Sequence, residues 1–273
     1  MVQSVIIRPV FSSAIFKHVS FFTKLCCNHH LSSDVSKRSH STCNLTHKCY
    51  NYKTNVTRSD VRLHRRLLCQ TIDSHPNFYF PPTATRQTRE EILANFSVDL
   101  DFVTPEEENE LLKETDRHLQ RLRYQFDHWD DAIEGYRETE VSRWSRGSSA
   151  ALERLRARAF GREARGVLVH THVLDLAPQG YIKPHVDSVR FCGSTIAGLS
   201  LHSDAVMRLT KQELPHQTVD VFLPARSLYI MKDAARYLYA HEVLKEATFR
   251  GRVVEKRRRV SVISRNTPGP KDA

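Results

Sequence analysis

Past residue 72 the chain almost lacks cysteine. Five of its six cysteines, Cys26, Cys27, Cys43, Cys49 and Cys69, come earlier, and only Cys192 follows. A lone thiol builds no disulfide framework, so residues 73–273 are not a disulfide-stapled secreted module. Cys192 reads as a small, half-buried, reduced side chain. Long apolar runs are missing too. None approaches the ~18 residues that a spanning helix needs, so no membrane span is expected. Acids are absent from the beginning of the chain, where none precedes Asp34. The body lacks an excess of either charge. Of the formal +10, +9 arises in residues 1–72, where eleven Lys/Arg face only Asp34 and Asp60, while the remaining 201 residues hold 30 basic and 29 acidic side chains. A near-neutral body offers no electrostatic case for duplex DNA, and that partner is not expected.

The first 72 residues are rich in Ser and Thr, and their apolar patches, Val5-Ile6-Ile7 and Phe21-Phe22, are separated by Arg8 and Lys17. This is the composition of a mitochondrial transit peptide with a disordered leader rather than of a secretory signal. The mitochondrial matrix is therefore the expected destination. Residues 73–97 carry Phe78-Tyr79-Phe80 up to Pro81-Pro82 and read as a linker, with a short helix possible from Thr85 to Phe96. One large domain over residues 98–267 and a disordered tail at 268–273 complete the expected organisation, as a monomer.

Val98 to Phe102 alternates and suggests a strand. Thr104-Pro105-Glu106-Glu107 is a capping box with proline at the first helical position, and Leu111, Leu112, Thr115, Leu119 and Leu122 carry a helix onward. Within 123–146, the stretch from Tyr124 to Trp144 interleaves aromatics with Asp127, Asp130, Asp131, Glu134, Glu138 and Glu140 against Arg137 and Arg143. Such a segment repels phosphates and packs its rings on the core. A second helix is expected from Ser148 to Phe160, stopped by Gly161. From residue 167 the pattern becomes β: 167–176, 181–187, 195–202, 205–210, 218–223, 227–231, 237–243 and 260–264, divided by turns such as Pro178-Gln179-Gly180. The expected fold is mainly β (α+β), a jelly roll (double-stranded β-helix) backed by N-terminal helices.

Within that pattern, His185 and Asp187 share parity on a short strand, as two members of a 2-His-1-carboxylate set suited to non-haem Fe(II), with His241 the candidate third. His-x-Asp alone proves nothing. It also occurs at His128-Trp129-Asp130 and His202-Ser203-Asp204. Context separates the middle copy. In 259–265, Arg259, Ser261 and Arg265 share one face opposite Val260 and Val262. Two inward guanidiniums and a hydroxyl call for an anion, which a small dicarboxylate supplies. The alternative is a solvated edge strand.

Taken together, these residues resemble the AlkB family of Fe(II)/2-oxoglutarate-dependent dioxygenases, and among its members a mitochondrial one. The strings that carry the resemblance are 127–133, Arg137-Glu138-Thr139-Glu140, 181–188, 195–201, Ser227-Leu228-Tyr229-Ile230 and Arg259-x-Ser261 with Arg265. The resemblance implies an oxidoreductase whose AlkB-like domain spans 98–267. It assigns iron to His185, Asp187 and His241, and 2-oxoglutarate to Tyr229, Arg259, Ser261 and Arg265, with O2 as co-reactant and no catalytic residue separate from the metal site. The nucleic-acid demethylases of the family carry Asn-x-Tyr in the strand before the metal motif, where the comparable region of this chain reads Val173-Leu174-Asp175-Leu176, a departure that touches part of the cosubstrate contact. Oxidation of a mitochondrial protein side chain, linked to regulated necrosis and fatty-acid metabolism, is the expected activity. Demethylation of mitochondrial RNA through Arg250, Arg252, Lys256, Arg257 and Arg258, and a non-catalytic interaction barrel, are the alternatives.

Overall fold

The computed structural model describes residues 75–128 and 131–269, so the expectations for 1–72 and for the end of the tail lie outside the described residues. Twelve described strands are β1 (Phe78–Tyr79), β2 (Phe96–Asp99), β3 (Ile133–Val141), β4 (Thr171–His185), β5 (Thr195–Leu201), β6 (Ala205–Lys211), β7 (Thr218–Leu223), β8 (Ser227–Lys232), β9 (Tyr239–Val243), β10 (Ala247–Phe249), β11 (Arg252–Val254) and β12 (Arg259–Arg265). Four described helices are α1 (Arg86–Asn95), α2 (Pro105–Leu119), α3 (Arg146–Phe160) and α4 (Asp233–Leu238). Ten strands form one antiparallel sheet in the order β1-β7-β6-β9-β4-β12-β5-β8-β2, with β3 added on β4, and β10–β11 form a separate hairpin. The architecture is the expected mainly-β jelly roll, with α2 and α3 backing one face of the sheet, while α1 and α4 contribute Ile92 and Ala235 to a different core cluster.

Local rules account for the helices. Thr104 accepts from the Glu107 N–H while the Glu107 carboxylate accepts from the Thr104 N–H, closing the capping box of α2. Ser145 caps α3 one turn before the expected start, and Gly161 ends it at φ 84°. Both helices lay Leu111, Leu119, Leu152 and Leu155 on Val173, Ala197, Leu199, Leu201, Val260 and Val262, all buried. Because side chains alternate along a strand, the opposite parity of β12 and β5 is left for Arg259, Ser261, Gly198 and Ser200. Register then aligns Ser261 with Ser200 and Leu174, and Gly198 with Tyr229 and Ile263.

Two expectations are corrected, and the acidic stretch, for which no element was expected, gains one. The described part of the linker is not a connector: Phe78 and Phe80 are buried, β1 pairs with β7, and α1 supplies Ile92 to the core. The acidic 123–146 stretch contains β3, nine residues paired along β4. The two strands expected on either side of Pro178-Gln179-Gly180 are one strand with an excursion, since Tyr136 pairs with Leu176 but Glu134 with Tyr181. Gly135 and Gly180 make that kink possible. A Cβ on Gly135 would meet the Gly180 Cα at 2.8 Å. The kink turns the second half of β4 toward β9, where His185 pairs with His241.

Asp175, fully buried, ties the layers together. Its carboxylate accepts from Arg137 Nε at 2.8 Å, Arg258 Nε at 3.0 Å and the Tyr124 hydroxyl at 3.2 Å. Asp175→Ala would strand half-buried Arg137 and leave Arg258 with Asp116 alone, an expected loss of about 3–5 kcal/mol in urea unfolding. A loss under about 1 kcal/mol would mean that the cluster contributes no more than an exposed pair.

Candidate metal and diacid site

The bend in β4 and the register of β9 bring three residues together that are far apart in sequence. His185, Asp187 and His241 offer ligand atoms that all lie within 4.8 Å of one another. Asp187 stands just past the end of β4 rather than on the strand, yet its Oδ1 lies 3.3 Å from His185 Nε2 and 3.6 Å from His241 Nε2. The two imidazoles are 4.3 Å apart between ring centroids. His185 Nδ1 is 3.0 Å from the Lys183 carbonyl, which only accepts, so that nitrogen carries a proton, and Nε2 is the ring nitrogen that faces the carboxylate. Burial, and then the neighbouring His185, push His241 down to about 3, so its ring is neutral. For Asp187 burial acts upward, but the hydrogen bond with His185 and the charge of Arg265 outweigh it and hold the carboxyl well below its ordinary value. Two imidazoles and one carboxylate aimed at a common point fit a divalent cation, and the facial 2-His-1-carboxylate set fits Fe(II).

Beside this cluster lies a cationic pocket. Arg259 is 1% exposed and donates from Nε to Ser200 Oγ at 3.2 Å, while its Nη2 has no partner. Ser261 Oγ, also buried, has none either. Burial lowers the Arg259 guanidinium from its ordinary value, which measures how poorly this charge is compensated. An unmatched buried guanidinium and hydroxyl on one face fit a carboxylate. Tyr229 closes the pocket, its phenol kept protonated by burial. Its ring lies flat over β5 because residue 198 is glycine; a Cβ there would meet the ring at 2.5 Å. Arg265 is placed differently from Arg259. Its Nε donates to Asp187 Oδ2 at 2.9 Å, so it bridges the pocket and the metal residues.

Sequence reasoning missed several neighbours. His172 lies 3.1 Å from Arg265 Nη1 and 2.9 Å from Glu138 Oε2, and His128 lies 3.4 Å from Glu138 Oε1. Shared parity with Leu174 and Leu176 was the available signal for His172. Those two leucines point inward and are buried, whereas Asp175 points toward the helices. At Leu174 and Leu176, β4 thus offers no polar group to the pocket. Arg236, fully buried on α4, donates to the carbonyls of Cys192 and Gly193 and pins the loop after Asp187. Cys192 itself is 2% exposed rather than half-buried.

The basic residues named for RNA are mostly occupied within the protein. Arg258 holds Asp175 and Asp116, Arg250 donates to the carbonyls of His75 and Phe78, Arg257 pairs with Glu255, and Lys256 donates to the carbonyls of Gly180 and Leu244. Burial, with Arg259 and Lys245 nearby, pushes Lys256 down to about 8. The folded protein then holds this proton less tightly than the unfolded chain does. The resulting penalty is full below about pH 8 and disappears as pH climbs toward the ordinary lysine value. Wild type should therefore gain stability relative to Lys256→Met between about pH 7 and about pH 9.5 in urea unfolding. An unchanged gap would refute it.

A cavity of about 750 Å³ lies elsewhere, between the turn at His202-Ser203-Asp204 and the β10–β11 hairpin, and none of the seven candidate residues lines it. No helix among the described residues is long and apolar enough to cross a membrane.

No family model matches the chain. Curated proteins do, among them the mitochondrial α-ketoglutarate-dependent dioxygenases alkB homolog 7 of Bos taurus and of Mus musculus. Each is 52% identical over 169 residues, 61% of this chain and 76% of the relative. Among solved structures, a prolyl-4-hydroxylase from Pseudomonas putida aligns with a TM-score of 0.45 and 16% identity over 66% of this chain and 96% of its own.

Proposed function

The chain belongs to the alkB homolog 7 family of α-ketoglutarate-dependent dioxygenases, and from that premise we propose that it oxidises a protein side chain in the mitochondrial matrix. It is an Fe(II)/2-oxoglutarate-dependent dioxygenase, using Fe(II), 2-oxoglutarate and O2. The proposal assigns the metal to His185, Asp187 and His241 and the cosubstrate to Tyr229, Arg259, Ser261 and Arg265, within a catalytic domain at 98–267 to which residues 75–97 dock. The convergence of two imidazoles and a carboxylate beside the uncompensated Arg259 carries this assignment. All seven residues come from one chain, so the site needs no second copy.

When bound, the metal and cosubstrate supply the oxidising chemistry; the chain binds, orients and excludes water. Arg259 and Ser261 would neutralise one carboxylate deep in the pocket, Tyr229 would fix its approach, and Arg265 would hold the Asp187 oxygen that faces away from the imidazoles. A protein substrate is favoured over RNA by the β3 side, where Asp131 and Glu134 clamp Lys183 and Glu140 is exposed, and by the internal engagement of Arg250, Lys256 and Arg258. Mitochondrial import is supported by the composition of residues 1–72 and by the relatives' names. Regulated necrosis and fatty-acid metabolism are the processes to which the proposal links the reaction.

The test combines succinate release with mass spectrometry of matrix proteins and RNAs, comparing wild type with His185→Ala. The reading requires peptides that gain one oxygen atom only with the intact site. Loss of methyl groups from RNA with no modified peptide would replace it with the nucleic-acid reading, and absence of iron-dependent succinate would leave only a binding module.

A further inference from the structure

Resting on the metal-site reading above, we propose that Glu138 and His172 are positioning residues that hold Arg265, and through it one oxygen of Asp187, so that the other oxygen alone is presented to the metal. The contacts form a relay. His128 Nε2 lies 3.4 Å from Glu138 Oε1, Glu138 Oε2 is 2.9 Å from His172 Nε2, His172 Nδ1 is 3.1 Å from Arg265 Nη1, and Arg265 Nε is 2.9 Å from Asp187 Oδ2.

Hydrogen-bond chemistry orders this relay without ambiguity. A guanidinium only donates, so the His172 Nδ1 that it faces accepts, and the ring proton sits on Nε2, where Glu138 receives it. A carboxylate at 138 therefore selects the tautomer that can receive Arg265. With Nη1 held by His172, the Nε of the same planar fork is aimed at Asp187 Oδ2. Asp187 Oδ1 is left as the oxygen closest to both imidazoles, 3.3 Å and 3.6 Å away. Without this clamp, a long arginine side chain regains rotamer freedom and either carboxylate oxygen can turn to the metal. The inward faces of Leu174 and Leu176 supply no substitute. His172 is thus the β4 side chain through which the edge strand β3 acts on the centre.

Calorimetry under nitrogen on the full chain, with Mn(II) and then 2-oxoglutarate as probes, tests the relay without requiring turnover. Glu138→Leu and His172→Leu remove the acceptors, and each is expected to weaken Mn(II) binding about tenfold, whereas Glu138→Gln and His172→Gln, whose amide oxygens still accept, stay within about threefold of wild type. The Glu138 side chain is 32% exposed, so its leucine variant opens no cavity and keeps the test available even when His172→Leu does not fold. Wild-type affinities in folded leucine variants, with or without a lowered melting temperature, would reduce the relay to scaffolding and overturn the proposal. His241→Ala serves as the separating control. If it binds Mn(II) normally the metal-site reading itself falls, and if it alone loses Mn(II) only the relay does.

Discussion

Arg259→Met is expected to make the protein without cosubstrate more stable while removing its response to 2-oxoglutarate. The wild-type guanidinium is 1% exposed, with one hydrogen bond to Ser200 and an unmatched Nη2, so the fold carries a buried charge for which only a ligand compensates. Methionine follows the unbranched stem of arginine and fills much of its volume without that charge. Replacing poorly compensated buried charge with apolar volume is worth about 1–4 kcal/mol, which predicts a higher melting temperature for the variant alone. Ligand reverses the order. At a hundredfold excess over its dissociation constant, 2-oxoglutarate with Mn(II) should stabilise wild type by about 2.7 kcal/mol and the variant scarcely at all. In turnover the apparent 2-oxoglutarate requirement should rise roughly a hundredfold, the equivalent of about 3 kcal/mol for one lost charged partner, while metal still loads. A variant that melts lower than wild type and keeps its response to 2-oxoglutarate would show that Arg259 is scaffold.

The parity on which that assignment rests was legible in the sequence because its signal is local. Period-two alternation alone puts Arg259, Ser261 and Arg265 opposite Val260 and Val262, and the structure uses those faces as the parity requires. The capping box at Thr104 is equally local. What escaped notice depends on distant partners. β3 alternates Glu138 and Glu140 with Arg137 and Thr139, so no apolar face announces a strand; its pairing with β4 makes it one. Phe78 and Phe80 sit among turn formers, and only contact with the rest of the core buries them. Pro178-Gln179-Gly180 reads as a turn residue by residue, yet the ladder resumes beyond it at Tyr181. His172 meets Glu138 and Arg265 across separations of 34 and 93 residues, contacts that register creates and no motif encodes.

The metal assignment makes a prediction in which two ligands part company. His241→Ala and Asp187→Ala should both abolish iron loading and iron-dependent succinate release, but only the second should damage the fold. Apparent affinities of about 10–16 kcal/mol for four-ligand structural metal sites imply roughly 3–4 kcal/mol per ligand, or two to three orders of magnitude in metal affinity for either change. His241 donates no hydrogen bond from its buried Nδ1, and its Nε2 stands 3.6 Å from Asp187, beyond hydrogen-bond distance, so its removal from the metal-free protein breaks no hydrogen bond. Asp187 is the anion that compensates half-buried Arg265 at 2.9 Å, and deleting it leaves that guanidinium with His172, which supplies no charge to match it. Urea unfolding without metal should therefore place Asp187→Ala about 3–5 kcal/mol below wild type, with His241→Ala much nearer to it. Adding Fe(II) or Mn(II) should then raise the midpoint of wild type and leave both variants where they were. A His241→Ala protein that still gains stability from metal would remove His241 from the centre, and with it the facial set on which the oxidative chemistry depends.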